Sequence, residues 1–432
     1  MDGANVTKIG THETTPFLIA NLNLPPEIRY LLANIMCVFL IPGPRKYGLL
    51  DSFFYPFVQE CKMLAQGVPG VFNAYTNSYF TLYFWPILFS GDGPARADAM
   101  GMVRPGNAKT PCGQCEISAV PADNNHHYIP HTEAQLKGNL PRRFHLRKDI
   151  TDWDKIRGYG FGQRRQELAT QLGITRKSAL LELESLHWPR SFPLDLMHCV
   201  LLNIVPDLYD LWGGKRFVED AGNLTSKHQN AAPAATSTEP ATQQPSAPAA
   251  PPPPTPEPYL LSHPKIWQYI SDCQENSRAR IPRVMGQGAR RLDRYSGGYK
   301  AKEWEAWLVR DSTILLYHLT EWRPYLRNLN LLSNIYQVAR QQEITSVELT
   351  QLRKNCSIWV TQFQDLYYRD EAARLKVCKI NIHSILHLGT CPNPDFSMLI
   401  RCSGSYSRSW ASHILVGVPY GALYRGPEKS SH

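Results

Sequence analysis

The sequence predicts an α/β fold, and a few stretches near its start carry the prediction. "IMCVFLIPG" (35–43) is a continuous apolar run closed by Pro and Gly, as a buried strand would be. "LDSFFYPFVQECKMLAQGV" (50–68) spaces its apolar residues by three and four, the pattern of an amphipathic helix, with Pro56 disturbing it early. "FTLYFWPILF" (80–89) is another strand, and "PFLIANLNL" (16–24), ahead of all three, alternates loosely. The order strand, strand, helix, strand describes a sheet covered by helix.

The remainder reads as mostly helical. "TRKSALLELESLHW" (175–188) predicts a helix, and "PLDLMHCVLLNIVPDLYDLW" (193–212) is apolar but interrupted by Pro206. Residues 221–258 are built from Ala, Pro, Ser, Thr and Gln and end in "PAAPPPPTPEP". Such a composition supplies no core and predicts a disordered linker. From about 259 the chain turns helical again. "EWEAWLVRDSTILLYHLTEW" (303–322) carries an apolar stripe. Thr345 and Glu348 open "EITSVELTQLRKNCSIWVTQFQDLYY" (343–368) as a capping box. "INIHSILHLG" (380–389) follows, and no internal repeat is seen.

A length of 432 residues suits two or three structural units, and a hydrophobic share of 43% is enough for a large core. The formal charge of +9 and pI near 9.0 favour a polyanionic partner, nucleic acid ahead of an acidic membrane surface. The longest apolar runs, 31–41 and 79–89, fall well short of the roughly 20 residues of a bilayer span. The N-terminus, "MDGANVTKIGTHETT", is polar and has no signal-peptide pattern, so no membrane partner is expected. Ten scattered Cys fit a reducing compartment with free or metal-bound thiols.

Two features carry chemistry. Asp92 stands where an apolar strand meets a turn, and Asp2 precedes Gly near the start. A turn-forming Asp before Gly explains either one alone. Carboxylates at the ends of adjacent strands can also hold two divalent metals about 4 Å apart and align a phosphoryl transfer. The second feature is Cys112-x2-Cys115, followed by His126, His127 and His131. With His127 and His131 the spacing Cys-x2-Cys-x11-His-x3-His is close to that of a zinc finger. The usual finger's apolar positions are missing, so the expectation is a small zinc-clamped loop. His198, in "DLMHC", is a rival fourth ligand. Two basic, aromatic-bearing stretches, 142–166 and 278–300, offer Arg142, Arg143, Arg164, Arg165, Arg290 and Arg291 to phosphates, and rings to exposed bases. No helix-turn-helix is evident.

Taken together, "DGANVTKIGTHETTPFLIANLNLPPEIRYLL", "FLIPGP", "YFWPILFSGDGPARADAMGM", "TPCGQC", "HYIPH", "PLDLMHCVLLNIVPDLYDLW", "YYRDEAARLKVC" and "IHSILHL" resemble the transposases of CACTA (En/Spm-type) DNA elements, particularly their fungal relatives. The resemblance spans roughly residues 2–388, apart from the Pro/Ala insertion. It implies an RNase H-like (DDE-type) core working with Mg²⁺ or Mn²⁺, a nuclear protein acting on transposon DNA ends, and a homo-oligomer as the candidate assembly. The family's first two catalytic acids fall on Asp2 and Asp92; Asp98 is close, but the Pro-Ala after Asp92 favours the latter.

On that footing the fold expected is an incomplete RNase H-like core with a zinc loop, a mostly helical insertion and a helical C-terminal region. The boundaries are 2–110 for the N-terminal part of the core, 111–135 for the zinc loop and 136–220 for a basic, helical insertion. Then come 221–258 for the linker, 259–390 for the helical region and 391–432 for a divergent tail. The chain is expected not to cleave DNA. Asp2 follows Met1 directly, so the strand that should carry it is truncated. The family's Trp-x-Phe-Pro-x-Glu-Arg segment, which bears the third acid, is replaced after "IHSILHL" by a tail rich in Ser, Arg, Gly and Pro. A non-enzymatic DNA- or protein-binding remnant is the alternative.

Overall fold

The computed structural model describes residues 4–5, 13–42, 49–122, 126–136, 156, 162–214, 259–261, 264–286, 288–341, 343–388 and 413–417. Asp2, Arg142, Arg143 and the 221–258 linker lie outside the described residues. The fold is mixed α/β and divides into two compact units. Unit 1 comprises 1–204, 300–302 and 327–432, and unit 2 comprises 205–299 and 303–326.

Unit 1 is organised around a sheet. Strand β1 (Ala4–Asn5) pairs antiparallel with the first residues of β2 (Glu13–Asn21), and β3 (Ile35–Pro42) pairs antiparallel along β2. After helix α1 (Asp51–Gln66), the chain forms a separate hairpin, β4 (Val68–Asn73) with β5 (Ser78–Leu82), before β6 (Trp85–Ser90). A short β7–β8 pair, Val120–Pro121 with His127–Tyr128, stands apart. Strand β9 (His413–Gly417), from the C-terminal tail, lies parallel to β2 and antiparallel to β6. The RNase H-like expectation thus meets a mixed sheet that has a tail strand between β2 and β6.

Periodicity explains how α1 docks. Phe54, Phe57, Val58 and Cys61 fall on one helical face and are buried, whereas Pro56 is exposed on the other. Phe17 of β2 stacks on Phe39 of β3 at 4.6 Å and meets the edge of Phe54 at 5.3 Å. Phe89 of β6 reaches Phe17 and Phe54. Offset and edge-on ring pairs of this kind contribute about 0.5–1.5 kcal/mol each beyond their burial. This cluster fixes the end of β6, where the chain turns at Asp92.

Four expectations are corrected. The strand over 35–42 forms but is not a buried one: among the described residues it pairs with β2 alone, Met36 and Leu40 are exposed, and only Ile41 is buried. The strand over 80–89 divides into β5 and β6. Gly67, the C-cap of α1, turns the chain into β4 at φ +96°, where a Cβ would come within 2.6 Å of the Tyr83 ring. The helix expected over 175–188 is only one 3₁₀ turn, Ala179–Glu182. Its leucines 180, 183 and 186 are all buried, a three-residue spacing that suits successive tight turns, as the Leu183 N–H to Leu180 O and Leu186 N–H to Leu183 O bonds show. The stripe over 303–322 is interrupted. Helical residues run through Leu315, the chain turns at Leu316–Leu319, and Pro324 sits in the first turn of the next helix, Arg323–Ala339. The capping box is present as expected: Thr345 accepts from the Glu348 N–H, and Glu348 accepts from the Thr345 N–H, at the start of Ser346–Phe363.

Unit 2 has no strand among its described residues. Helices Val205–Trp212 and Pro264–Arg278 bring Tyr209 edge-on to Trp267 at 4.9 Å, with Trp304 and Trp307 beside them. A second set joins Trp212, Trp322, Tyr259 and Tyr325.

Candidate metal centre

Unit 1 contains one group of converging metal-binding side chains among its described residues: Cys112, Cys115, His383 and His387, all buried. The Cys pair follows α2 (Gly93–Met100), which ends at Gly101 in the left-handed conformation. Backbone bonds then pin the loop to the helix Gln163–Leu172: Lys109 N–H donates to Thr170 O, and the Thr110 hydroxyl to Gln171 O. Gln114, between the cysteines, turns its N–H to Cys112 Sγ at 3.3 Å. Its side-chain amide donates to the carbonyls of Pro189 and Phe192.

The histidines arrive on a different element. Helix Ile380–Ser384 continues as a 3₁₀ turn, Ile385–His387. A four-residue spacing on a helical segment places His383 and His387 on one face. Ile382, Ile385, Leu386 and Leu388 are buried around them.

The distances suit a tetrahedral ion. Cys112 Sγ lies 3.4 Å from His387 Nε2, Cys115 Sγ 3.3 Å from His383 Nε2, and the two Nε2 atoms 3.1 Å apart. A zinc ion at ordinary bond lengths would set S···N edges of about 3.6 Å and N···N edges of about 3.3 Å. All four atoms lie within 4.8 Å of one another. The donor set, two sulfurs and two imidazole nitrogens, is one that zinc prefers. Electrostatics agree: burial opposes ionisation of Cys112, but the Cys115 hydrogen bond and the neighbouring His387 and His383 hold its thiol well below the ordinary range. Burial lowers His383, keeping it neutral and able to ligate.

His127 and His131 stand outside this group. His127 Nδ1 faces the Gly106 carbonyl at 3.2 Å. His131 lies one layer further out, with Nε2 at 2.9 Å from His383 Nδ1, and burial pushes it down to about 3. His198 is held by Asp195, whose carboxylate is 2.6 Å from Nδ1. The expected zinc loop therefore supplies half a site, and the other half comes from a motif 268 residues downstream of Cys115. "IHSILHL" did carry a signal, two histidines four apart in an apolar stretch, but sequence distance concealed their partner.

The other candidate residues are dispersed. Asp92 caps α2, its Oδ1 accepting from the Ala95 N–H at 2.7 Å. Arg164 and Arg165 lie on the Gln163–Leu172 helix, Arg164 exposed and Arg165 half-buried. In unit 2 Arg290 grips Glu303 through Nε and Nη2 and donates to Gly298 O. Arg291 joins Asp272 and Asp293. Both unit 2 arginines are thus already committed to carboxylates.

Residues 2–151 match the family model described as transposase family tnp2, about a third of the chain. The matched segment includes Asp92, Cys112 and Cys115 and ends before the histidine pair. This supports a transposase family for the chain. No curated protein and no solved structure matches it. Among the described residues no helix is long and apolar enough to cross a membrane.

Proposed function

We propose that this is a transposase-derived protein of the CACTA class, of fungal type, whose unit 1 is an RNase H-like core held together by one structural zinc. The match of residues 2–151 to the tnp2 family carries the reading. Two features of the chain support it. Asp92 sits at the mouth of β6 on the cap of α2, a position from which a carboxylate can face a divalent metal. The Cys112, Cys115, His383 and His387 group gives zinc a closed, four-donor site of the structural type. Its partner in this reading is DNA, bound in the nucleus through basic surface such as Arg164 and Arg165.

The chain binds DNA without cutting it in this reading. The motif expected to bear a third acid is missing from the sequence that follows His387. Among the described residues Asp92 is the one family acid with an assigned position, and a single carboxylate neutralises two divalent cations poorly. The test is a nicking and strand-transfer assay on plasmid DNA with Mg²⁺ or Mn²⁺, run beside Asp92→Ala, together with DNA affinity at two salt concentrations. Salt-sensitive binding without cleavage is expected. Cleavage that Asp92→Ala abolishes would overturn the inactive reading, and salt-independent binding would overturn the phosphate-contact reading.

A further inference from the structure

His131 is not a ligand, yet it is 5% exposed and tied on both sides. Its backbone N–H donates to Gln364 Oε1 at 2.7 Å, and Gln364 Nε2 donates back to the His131 carbonyl at 2.8 Å. These two bonds settle which end of the Gln364 amide is oxygen, because a backbone N–H can only donate and a carbonyl can only accept. The same Oε1 lies 2.8 Å from His131 Nδ1. Since Oε1 accepts only, Nδ1 carries the proton. A neutral imidazole has one N–H, so His131 Nε2 is an acceptor. It faces His383 Nδ1 at 2.9 Å, which must therefore be the donor. The proton on Nδ1 leaves His383 Nε2 with a bare lone pair, and that atom points at Cys115 Sγ and His387 Nε2.

We propose that Gln364 and His131 form a directional hydrogen-bond relay that locks His383 in its Nδ1–H tautomer and so presents Nε2 to the metal. His131 is a positioning residue, and the metal identified by this reading is the zinc of the section above. Gln364 follows the C-terminus of Ser346–Phe363, and His131 follows the β7–β8 pair, so two further segments are recruited to orient one ligand. Outer partners of this kind typically change metal affinity by about 10–100-fold when removed.

The experiment combines metal affinity with a direct reading of the tautomers. Zinc affinity of the full chain is measured by competition with a chromophoric chelator for wild type, His131→Phe and His131→Gln. Phe removes the acceptor, and Gln returns an amide oxygen to accept from His383. We expect about a 10–100-fold loss for His131→Phe and substantial recovery in His131→Gln. Equal affinity in all three would overturn the relay. Should His131→Phe fail to fold, Gln364→Leu serves: it keeps the side chain's bulk but removes the Oε1 that fixes the proton on His131 Nδ1, so His383 is no longer held in one tautomer and zinc binding should weaken. Unchanged affinity there also overturns the relay. Histidine-selective ¹⁵N spectra separate this inference from the zinc reading. Nδ1–H on both His131 and His383 is expected with or without metal, and Nε2–H on His383 overturns the relay. A wild type that binds no zinc, with both tautomers as expected, removes the metal and leaves the relay standing.

Discussion

The two units solve the problem of a stable interior in opposite ways. Unit 2 buries rings: Trp212, Trp307, Tyr209 and Trp304 are all nearly or wholly inaccessible. Apolar burial is non-directional, so such a core needs no bound ion to complete it. Unit 1 has an aromatic cluster of its own around Phe17 and Phe54, but also buries two thiols and two imidazoles against each other. Polar donors packed together without water are costly unless a cation satisfies them. With the proposed zinc in place, the difference teaches that the stability of one unit is conditional on a metal, whereas that of the other is not.

The sharpest way to break this comparison is to remove the metal. Chelation, or the Cys112→Ser, Cys115→Ser double variant, should destabilise unit 1 by on the order of 5 kcal/mol or more. Amide hydrogen exchange reads it: protection should collapse over 380–388 and 109–119 and persist over 264–278. Equal loss in both regions would mean that the metal supports the whole chain. Elemental analysis of the wild type should give about one zinc per chain, and the double variant none.

The converse substitution is Trp307→Ala. It leaves a cavity in the ring cluster of unit 2 and should cost about 3–5 kcal/mol by denaturant titration. Zinc content should stay at the wild-type value; a drop would show that the two interiors are coupled. Asp92→Ala is milder. Loss of the helix cap costs about 0.5–2 kcal/mol, and Asp92→Ser should restore most of it, since a hydroxyl also caps. A cost well above that range would mean Asp92 does more for the fold than cap α2.

The smallest effect is expected at Arg290→Gln and Arg291→Gln. Their guanidinium groups are spent on Glu303, Asp272 and Asp293, so the slope of log affinity against log salt should be unchanged in each variant, where loss of a phosphate contact would lower it by about 0.9. The melting midpoint of unit 2 should fall slightly. A clear drop in slope would assign these arginines to phosphates.

Many single elements were legible because their signals are local. A strand at 35–42, an amphipathic helix at 51–66 and a capping box at 345–348 each depend on residues within a turn or two, although the burial expected of that strand is met only at Ile41. Helix breaks were harder to read. The leucines of 180–186 have a spacing that a helix and a run of tight turns share, and only their packing decides. The metal site was half legible. Cys112-x2-Cys115 announced itself, and the nearest spaced histidines completed a familiar pattern. The residues that face the thiols are brought there by tertiary packing of the Ile380–His387 segment, which no spacing rule encodes. His131 was singled out for the right neighbourhood, and its proximity to Gln364 explains why it serves behind a ligand.

The separation of the two half-sites has a consequence for how the protein is made. Cys115 and His383 are 268 residues apart. At about 5–20 residues per second, a ribosome delivers the thiols roughly 13–54 seconds before the first histidine. Through that interval the nascent chain holds a sulfur pair whose only nearby imidazoles in sequence are His126, His127 and His131. A polypeptide that ends before His383 lacks both imidazoles that face the thiols in the fold. The centre can therefore close only late in synthesis, after most of the chain that separates its two halves has been made.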